Sequence, residues 1–361
     1  MLEKIIDLAV QIQQTPGPTF AEQERGDLVR RLFEAEGFSG VSQDTLGNVY
    51  ACLPGMGGGP PLVAVAHMDT VFPLETNLEL KREPGKIHGP GLGDNSTGVA
   101  ALFGLAWLLR ERKLRTRGDL WLCADVGEEG LGDLRGMRAV VERFGSGVLG
   151  YLIIEGLALG HVYHRAIGVQ RYHVTARTAG GHSWSDYGQP SAIHELARLV
   201  TQLTSLPIPV QPRTTLNVGV IAGGTTVNSV AAEAWFDLDL RSEDPHGLAL
   251  LAAEAERLIS EGERPGVKME AHVTSQRPPG EIPADHRLVQ LAARSLREQG
   301  IDPNLTSGST DANIPLSRGI PAVVVGVTTG GGAHTPREFI HTAPVRQGME
   351  QLVGIVSRAW D

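Results

Sequence analysis

The 361-residue sequence predicts an α/β fold, with a mostly parallel sheet carrying helices on both faces and an inserted ferredoxin-like β-α-β-β-α-β domain. Three observations support this prediction. Four continuous apolar runs are typical of strands buried on both faces, helical patterns separate them, and the order of elements changes midway. The runs are PLVAVA at 61–66, DLWLCADV at 119–126, YLII at 151–154 and AVVVGV at 322–327.

The alternation of strands and helices predicts the first domain, a parallel sheet with helices on both faces. Helical patterns lie at 97–112 and 132–145, between predicted strands. In such a sheet, ligands bind outside the carboxyl ends of the strands. A chain of this length exceeds the usual size of one hydrophobic core, so two domains are expected. We assign residues 1–165 and 278–361 to this domain.

The segment 166–277 is predicted to be the inserted domain, with a lid or dimerisation role. Residues 234–240, AWFDLDL, alternate apolar and polar side chains, as in a sheet with one solvated face. The predicted elements are a strand at 168–177, a helix at 190–204, strands at 214–222 and 231–241, a helix at 246–261 and a strand at 267–275.

Composition excludes several classes of protein. A formal net charge of −9 argues against a nucleic-acid partner, since such proteins usually carry a basic surface. No apolar run reaches the roughly 18 residues of a membrane span, and the N-terminus lacks the apolar core of a secretory signal. Two cysteines, Cys52 and Cys123, are too few for a disulfide framework. We therefore expect a cytoplasmic protein with no membrane partner.

Each of the four buried runs is followed by side chains that can bind a metal. His67 ends the first run, Glu128 and Glu129 follow the second, Glu155 follows the third, and His334 follows the fourth after a glycine-rich loop. Carboxyl ends of parallel strands lie at one edge of a sheet, so these side chains are expected to meet there. His341 is the alternative to His334, but it leads toward the last helix.

Two shorter motifs add to this set. His67 and Asp69 lie two residues apart and point the same way, which lets the carboxylate orient a metal-bound imidazole. Asp94 lies in GLGDNSTG, a glycine-rich loop before a helix; its alternative interpretation is a simple helix cap by Asn95 or Ser96. A phosphate loop fits this segment less well, because the lysine and the spacing of the GxxxxGK(S/T) motif are missing.

Glu128 and Glu129 are adjacent carboxylates directly after a buried strand. Such a pair resists burial unless cations lie nearby. One carboxylate can then bind metal while the other accepts a proton from a water. The alternative is a solvated acidic turn.

Nine motifs in order resemble those of one enzyme family. They are AHMDTV, GLGDNSTG, GEEG, IIEG, TAGGHSW, NVGVIAGGTTVNSV, DLDLR, GSTDANI and GGGAHTPREF. Together they resemble the dinuclear zinc peptidase and amidohydrolase family that includes peptidase T, acetylornithine deacetylase, succinyl-diaminopimelate desuccinylase, glutamate carboxypeptidase and aminoacylase. The segments around GGHSW and GEEG look most similar to peptidase-T-like members, and the resemblance implies a zinc-exopeptidase-like catalytic domain.

The resemblance implies a role for each matched residue. One metal is bound by His67 and Glu155, the other by Glu129 and His334, and Asp94 bridges both. Asp69 orients His67, while Glu128 is the general base for a metal-bridging water. The nitrogen and oxygen ligands suit two divalent ions, Zn²⁺ first, with Co²⁺ or Mn²⁺ as substitutes.

Three residues of the inserted domain complete the implied site. His182 matches a histidine that stabilises the oxyanion, often in the active site of the other subunit, so a homodimer is expected. Asn228 and Arg241 match substrate-facing positions, although Arg241 has the alternative of a surface arginine.

These assignments predict an exopeptidase that hydrolyses the amide bond of di- or tripeptides. The first alternative is an N-acyl amino-acid amidohydrolase of the deacetylase or desuccinylase type. The second is a non-catalytic binding protein on the same fold, which predicts the loss of a ligand or of the base. Every matched position retains a competent residue.

Overall fold

A computed structural model describes residues 1–361, which form two compact units: residues 1–166 with 280–361, and residues 167–279. The helices are α1 Leu2–Gln13, α2 Gln23–Ala35, α3 Gly98–Glu111, α4 Arg135–Phe144, α5 Ala192–Thr204, α6 Pro245–Glu261, α7 Arg287–Glu298, α8 Asn313–Ser317 and α9 Val345–Arg358. The strands are β1 Ser39–Gln43, β2 Val49–Leu53, β3 Leu62–His67, β4 Lys81–Glu83, β5 Lys86–His88, β6 Leu120–Asp125, β7 Gly150–Glu155, β8 His161–Ala166, β9 Gly168–Thr178, β10 Gly181–His182, β11 Thr214–Gly223, β12 Ser229–Val230, β13 Glu233–Ser242, β14 Val267–Arg277, β15 Gly280–Glu281, β16 Asn304–Gly308, β17 Ala322–Gly326, β18 Gly330–Gly331 and β19 Phe339–His341.

The first unit is built on a nine-stranded sheet. Its order is β1-β2-β6-β3-β7-β17-β8-β15, with β16 beside β8. The four central strands, β6, β3, β7 and β17, are mutually parallel, and antiparallel strands flank them on both sides. These four strands are the predicted apolar runs, so their carboxyl ends meet at one edge of the sheet.

Burial on both faces explains the composition of the central strands. Every residue of β3 and β17 is buried, and α3, which follows the Asp94 loop, buries almost its whole circumference. A helix that is apolar on all sides belongs in a protein interior. The strand ends are thus held by a rigid core on which functional side chains can be placed accurately.

One predicted helix begins later than expected. The pattern predicts a helix at 132–145, but α4 begins at Arg135 because Asp133 and Leu134 have left-handed backbone angles, φ of 54° and 58°. Consecutive left-handed residues cannot continue an α-helix. The chain between Glu129 and Arg135 therefore forms a 3₁₀ turn, Gly130–Gly132, and a sharp bend.

The second unit has the order β9-α5-β11-β13-α6-β14, apart from the two-residue strands β10 and β12, which pair with each other. Its four-stranded antiparallel sheet has the order β11-β13-β9-β14, which is the ferredoxin-like arrangement. Residues of β13 alternate between buried and less buried positions, because one face packs against α5 and α6. The predicted fold class is confirmed.

No helix of the chain combines the length and the apolar character that a membrane-spanning helix requires.

Candidate dinuclear metal site

His67 is placed by the last position of β3 and is almost completely buried. Its Nδ1 lies 3.2 Å from the backbone carbonyl of Asp69, to which it donates. Its Nε2 lies 3.1 Å from Oδ1 of Asp94 and 3.7 Å from Oε2 of Glu155. Because the backbone carbonyl holds Nδ1, Nε2 is the nitrogen presented to the two carboxylates.

Asp69 joins three parts of the site. Its carboxylate lies 3.5 Å from Nδ1 of His67 and accepts the backbone N–H of Glu128 on Oδ1 and of Glu129 on Oδ2, both at 3.0 Å. The Thr19 hydroxyl donates to Oδ2 at 2.8 Å. Although burial raises the pKa of Asp69, these contacts hold it below its usual value. Asp69, which was predicted to orient His67, thus also fixes the loop that carries Glu128 and Glu129.

Asp94 lies between the two histidines. Its Oδ1 faces His67, and its Oδ2 lies 3.0 Å from Nε2 of His334. The same His334 nitrogen lies 3.1 Å from Oε1 of Glu129. Each Asp94 oxygen therefore belongs to a different cluster of donors, which is the arrangement expected of a bridging carboxylate.

The donor atoms fall into three overlapping groups, each with its atoms within 4.8 Å of one another. The groups are His67, Asp94 and Glu155; Asp94, Glu129 and His334; and His67, Glu128 and Glu129. The first two contain the five predicted ligands. Imidazole nitrogens with carboxylate oxygens suit Zn²⁺, Co²⁺ or Mn²⁺. The residues present fit two divalent cations. Glu128 is grouped with His67, which belongs to the first cluster, and with Glu129, which belongs to the second.

The electrostatics of the cluster also favour cations. Hydrogen bonds with Asp94 and Glu129 raise the pKa of His334 to about 10. Burial opposes protonation of His67, yet its carboxylate partners raise its pKa well above the usual value, while burial raises the pKa of Glu155. Protons are therefore held where cations would lie, and a bound cation takes their place.

Two buried carboxylic groups were not among the predicted site residues. Asp125 ends β6 opposite His67, and Asp311 precedes α8; both are fully buried, and neither carboxylate has a hydrogen-bond partner. Burial raises the pKa of Asp125 to about 8 and that of Asp311 well above its usual value. Asp125 could have been identified from the sequence by its position at the end of an apolar run. A nearby cation would favour the ionised form of both carboxyl groups.

This concentration of buried acid predicts that metal binding stabilises the fold. Zinc at a hundred times its dissociation constant should raise the free energy of unfolding by about 2.7 kcal/mol for each site. Thermal unfolding of the chain treated with EDTA, then supplemented with zinc, measures the change. An identical melting temperature in both states would contradict the prediction.

Glu338 is a further residue that the sequence did not single out. Its fully buried carboxylate accepts three backbone N–H groups, from Gly91 at 3.0 Å, Gly93 at 2.7 Å and Asp94 at 2.9 Å. On the opposite side, Asn95 accepts the N–H of Gly156 at 2.8 Å and donates to the carbonyl of Ile154. The Asp94 loop is thus anchored to two distant segments, and Asn95 has more than the capping role predicted for it.

Replacing Glu338 should weaken metal binding without removing a ligand. In Glu338→Ala, three buried N–H groups lose their acceptor, so we expect the free energy of unfolding to fall by roughly 3 kcal/mol. Metal affinity should fall 10- to 100-fold, as is usual for residues that support ligands. Glu298→Ala, which breaks only surface ion pairs with Arg294 and Arg358, is the matched control. Equal metal affinity in Glu338→Ala and the control would argue against this role.

The remaining predicted residues occupy separate places. His341 contacts Thr329 through Nδ1 at 3.0 Å and belongs to none of the three donor groups, in contrast to His334. His182, Asn228 and Arg241 lie in the second unit. Asn228 precedes β12 and bonds to Ser183 through its carbonyl, whereas Arg241 donates to Asp239 at 2.7 Å.

His182 is exposed, and its ring has a defined hydrogen bond. The backbone N–H of Trp184 donates to its Nδ1 at 3.2 Å. In the neutral ring the proton therefore resides on Nε2, which leaves that nitrogen as a donor.

Comparison with known proteins identifies the class to which this fold and site belong. The model for Peptidase family M20/M25/M40 matches residues 63–358, most of the chain. The chain belongs to this peptidase family, in agreement with the resemblance found in the motifs.

Individual relatives are similar to this chain over most of its length. A Peptidase M20 domain-containing protein of Schizosaccharomyces pombe is 28% identical over 311 residues, covering 84% of this chain and 70% of its own length. The structure of aminopeptidase PepT from Bacillus cereus superposes with a TM-score of 0.82 at 23% identity, covering 100% of this chain and 99% of its own. A Staphylococcus aureus tripeptidase superposes with a TM-score of 0.85 at 21% identity, covering 99% and 98%. These two structures share the fold.

Proposed function

We propose that the chain is a metal-dependent exopeptidase that hydrolyses the amide bond of di- or tripeptides. The observation that carries this proposal is the arrangement of Asp94, whose two oxygens face His67 and His334 separately, beside Glu128 and Glu129. Membership of a peptidase family and similarity to a tripeptidase and an aminopeptidase support peptides as the substrate class.

The proposed ligands are His67 and Glu155 for one cation and Glu129 and His334 for the other, with Asp94 shared. Two divalent cations, with Zn²⁺ preferred, lower the pKa of a coordinated water and polarise a carbonyl oxygen when bound. The loop that carries Glu128 is held by Asp69, which accepts the backbone N–H of Glu128.

In this proposal Glu128 accepts the proton of the attacking water and then passes it to the departing amine. His182 donates from Nε2 to the carbonyl oxygen as negative charge develops on it. Asn228 and Arg241 are proposed to bind the substrate backbone or carboxylate. The ion pair between Arg241 and Asp239 fixes the arginine in one orientation.

A substrate screen tests the proposal. The zinc-loaded chain is assayed against free dipeptides and tripeptides and against N-acetyl and N-succinyl amino acids. We expect cleavage of the free peptides; exclusive cleavage of the N-acyl compounds would assign the chain to the amidohydrolases instead. No turnover of either class, together with no bound metal by elemental analysis, would favour a non-catalytic binding protein.

A homodimer in which His182 acts on the partner's site is a separate proposal, and it predicts complementation. His182→Ala and Glu128→Gln chains, each inactive alone, are mixed after mild dissociation. If the site is shared, about a quarter of the activity should return, because one of the two sites in each mixed dimer contains both wild-type residues and half of randomly paired dimers are mixed. Absence of recovery with confirmed subunit exchange would contradict a function in trans.

A further inference from the structure

Two large apolar side chains are exposed on segments that adjoin the metal site, Phe20 with 65% and Leu131 with 60% of their surface accessible. Leu131 lies two residues after Glu129. Phe20 follows Thr19, whose hydroxyl donates to Oδ2 of Asp69, the same oxygen that accepts the Glu129 N–H. The segments that carry both side chains therefore meet on one carboxylate oxygen within the site.

Phe20 is held in place although it is not buried. Its φ of 75° is a strained conformation for an aromatic residue. The guanidinium of Arg135 lies 4.7 Å from the centre of its ring, and Arg135 is itself fixed by a 2.6 Å hydrogen bond to Glu22. A cation over an aromatic face restrains the ring in one position while leaving the rest accessible.

Leu131 is displayed by a tight turn. The Gly132 N–H donates to the carbonyl of Glu129 at 2.8 Å, and a side chain on Gly132 would collide with the Gly127 backbone. The left-handed bend that follows directs Leu134 into the core, where it is fully buried. The same bend leaves Leu131 on the outside of the turn.

Single exposed apolar residues are common on protein surfaces and need no function. Phe20 and Leu131 differ from that background in two ways: both segments converge on Asp69, and both have left-handed backbone at or just after the side chain. Backbone strain of this kind is concentrated at ligand-binding sites, where it is retained for the geometry that it gives. An apolar ligand group beside the metal site explains both features.

We propose that Phe20 and Leu131 form an apolar contact surface for the side chain of the substrate residue next to the scissile bond. The inference rests on the proposed hydrolysis of short peptides and names the substrates within that class. Leucine-like and phenylalanine-like side chains are favoured at this position over glycine and over charged side chains, since only the former bury apolar area against the two residues.

The activity test compares Phe20→Ala and Leu131→Ala with the wild type. The substrates are peptides that carry glycine, leucine, phenylalanine or lysine on either side of the scissile bond, and the matching N-acyl amino acids. Either variant should lower kcat/KM roughly tenfold for the leucine or phenylalanine substrates and less than twofold for glycine. Phe20→Leu should recover part of the leucine preference.

Met56→Ala is the matched control, because Met56 is 60% exposed in the loop between β2 and β3. Met56→Ala should leave the ratios of kcat/KM between the substrates unchanged. An equal loss of kcat/KM for all substrate side chains in Phe20→Ala would overturn the contact surface and assign Phe20 to loop stability. No loss of kcat/KM for any substrate would also overturn it.

A second measurement needs no turnover. Hydroxamates of glycine, leucine and phenylalanine, which bind divalent metals through the hydroxamate group, are titrated calorimetrically against the zinc-loaded chain. The ratio of the glycine to the phenylalanine dissociation constant should fall roughly tenfold in Phe20→Ala. An unchanged ratio would overturn the proposal. If the wild type hydrolyses neither peptides nor N-acyl amino acids, the proposed function fails, and the hydroxamate ratio still decides whether the surface exists.

Discussion

Replacing Glu128 with glutamine is expected to lower kcat by roughly 10³-fold, within the range that general acid–base groups contribute. Glutamine keeps the size of the side chain and the backbone N–H that donates to Asp69, but it cannot accept a proton. Steady-state kinetics on the best peptide of the substrate screen measures the effect. KM should change little, because the substitution removes proton transfer and not a binding contact.

Metal content separates this role from that of a ligand. Glu128 belongs to one donor group, with His67 and Glu129, so the alternative is that it binds a cation. Two metals per chain in Glu128→Gln, with activity lost, support the general base; a fall to one metal would move Glu128 into the ligand set. Activity near that of the wild type would exclude both roles.

Asp94→Ala is also expected to have a large effect, because the proposed bridging carboxylate serves both clusters. Its removal takes away the partner of His67 at 3.1 Å and of His334 at 3.0 Å at once. We expect zinc affinity to fall at least 100-fold at the weaker position and kcat/KM to fall by about 10⁴. Zinc titration with a competing chelator measures the affinities.

Asp302→Asn is the control for this substitution. Asp302 is exposed and belongs to none of the three donor groups. It should retain two metals and full activity. Retention of two tightly bound metals in Asp94→Ala would show that the two clusters bind cations independently, and the bridge would have to be abandoned.

The sequence predicted the fold and the composition of the donor clusters because both depend on local patterns. A buried parallel strand needs a continuous apolar run, and its carboxyl end is where a functional side chain such as His67 or Glu155 is placed. The predicted order of elements in the inserted domain is confirmed for the same reason. The metal assignments remain predictions, although the five residues come together as expected.

The features of the site that sequence reasoning missed depend on tertiary contacts. Glu338 lies in GGGAHTPREF, but only the folded chain brings its carboxylate to the backbone of residues 91–94. The contacts of Asp69 with the glutamate loop depend on the register of β3 against β6. The late start of α4 depends on two left-handed residues that are not glycine, a conformation that side-chain propensities do not favour.

The double anchoring of the Asp94 loop has a consequence for how the chain acquires its activity. Asp94 meets His334 across 240 residues of sequence and is anchored by Glu338 across 244, so these contacts have among the highest loop-closure entropies in the molecule. The metal site is therefore complete only after the segment that carries His334 and Glu338 has packed against the Asp94 loop. Metal uptake should coincide with the end of folding, because a chain that stops before residue 334 lacks one of the five proposed donors.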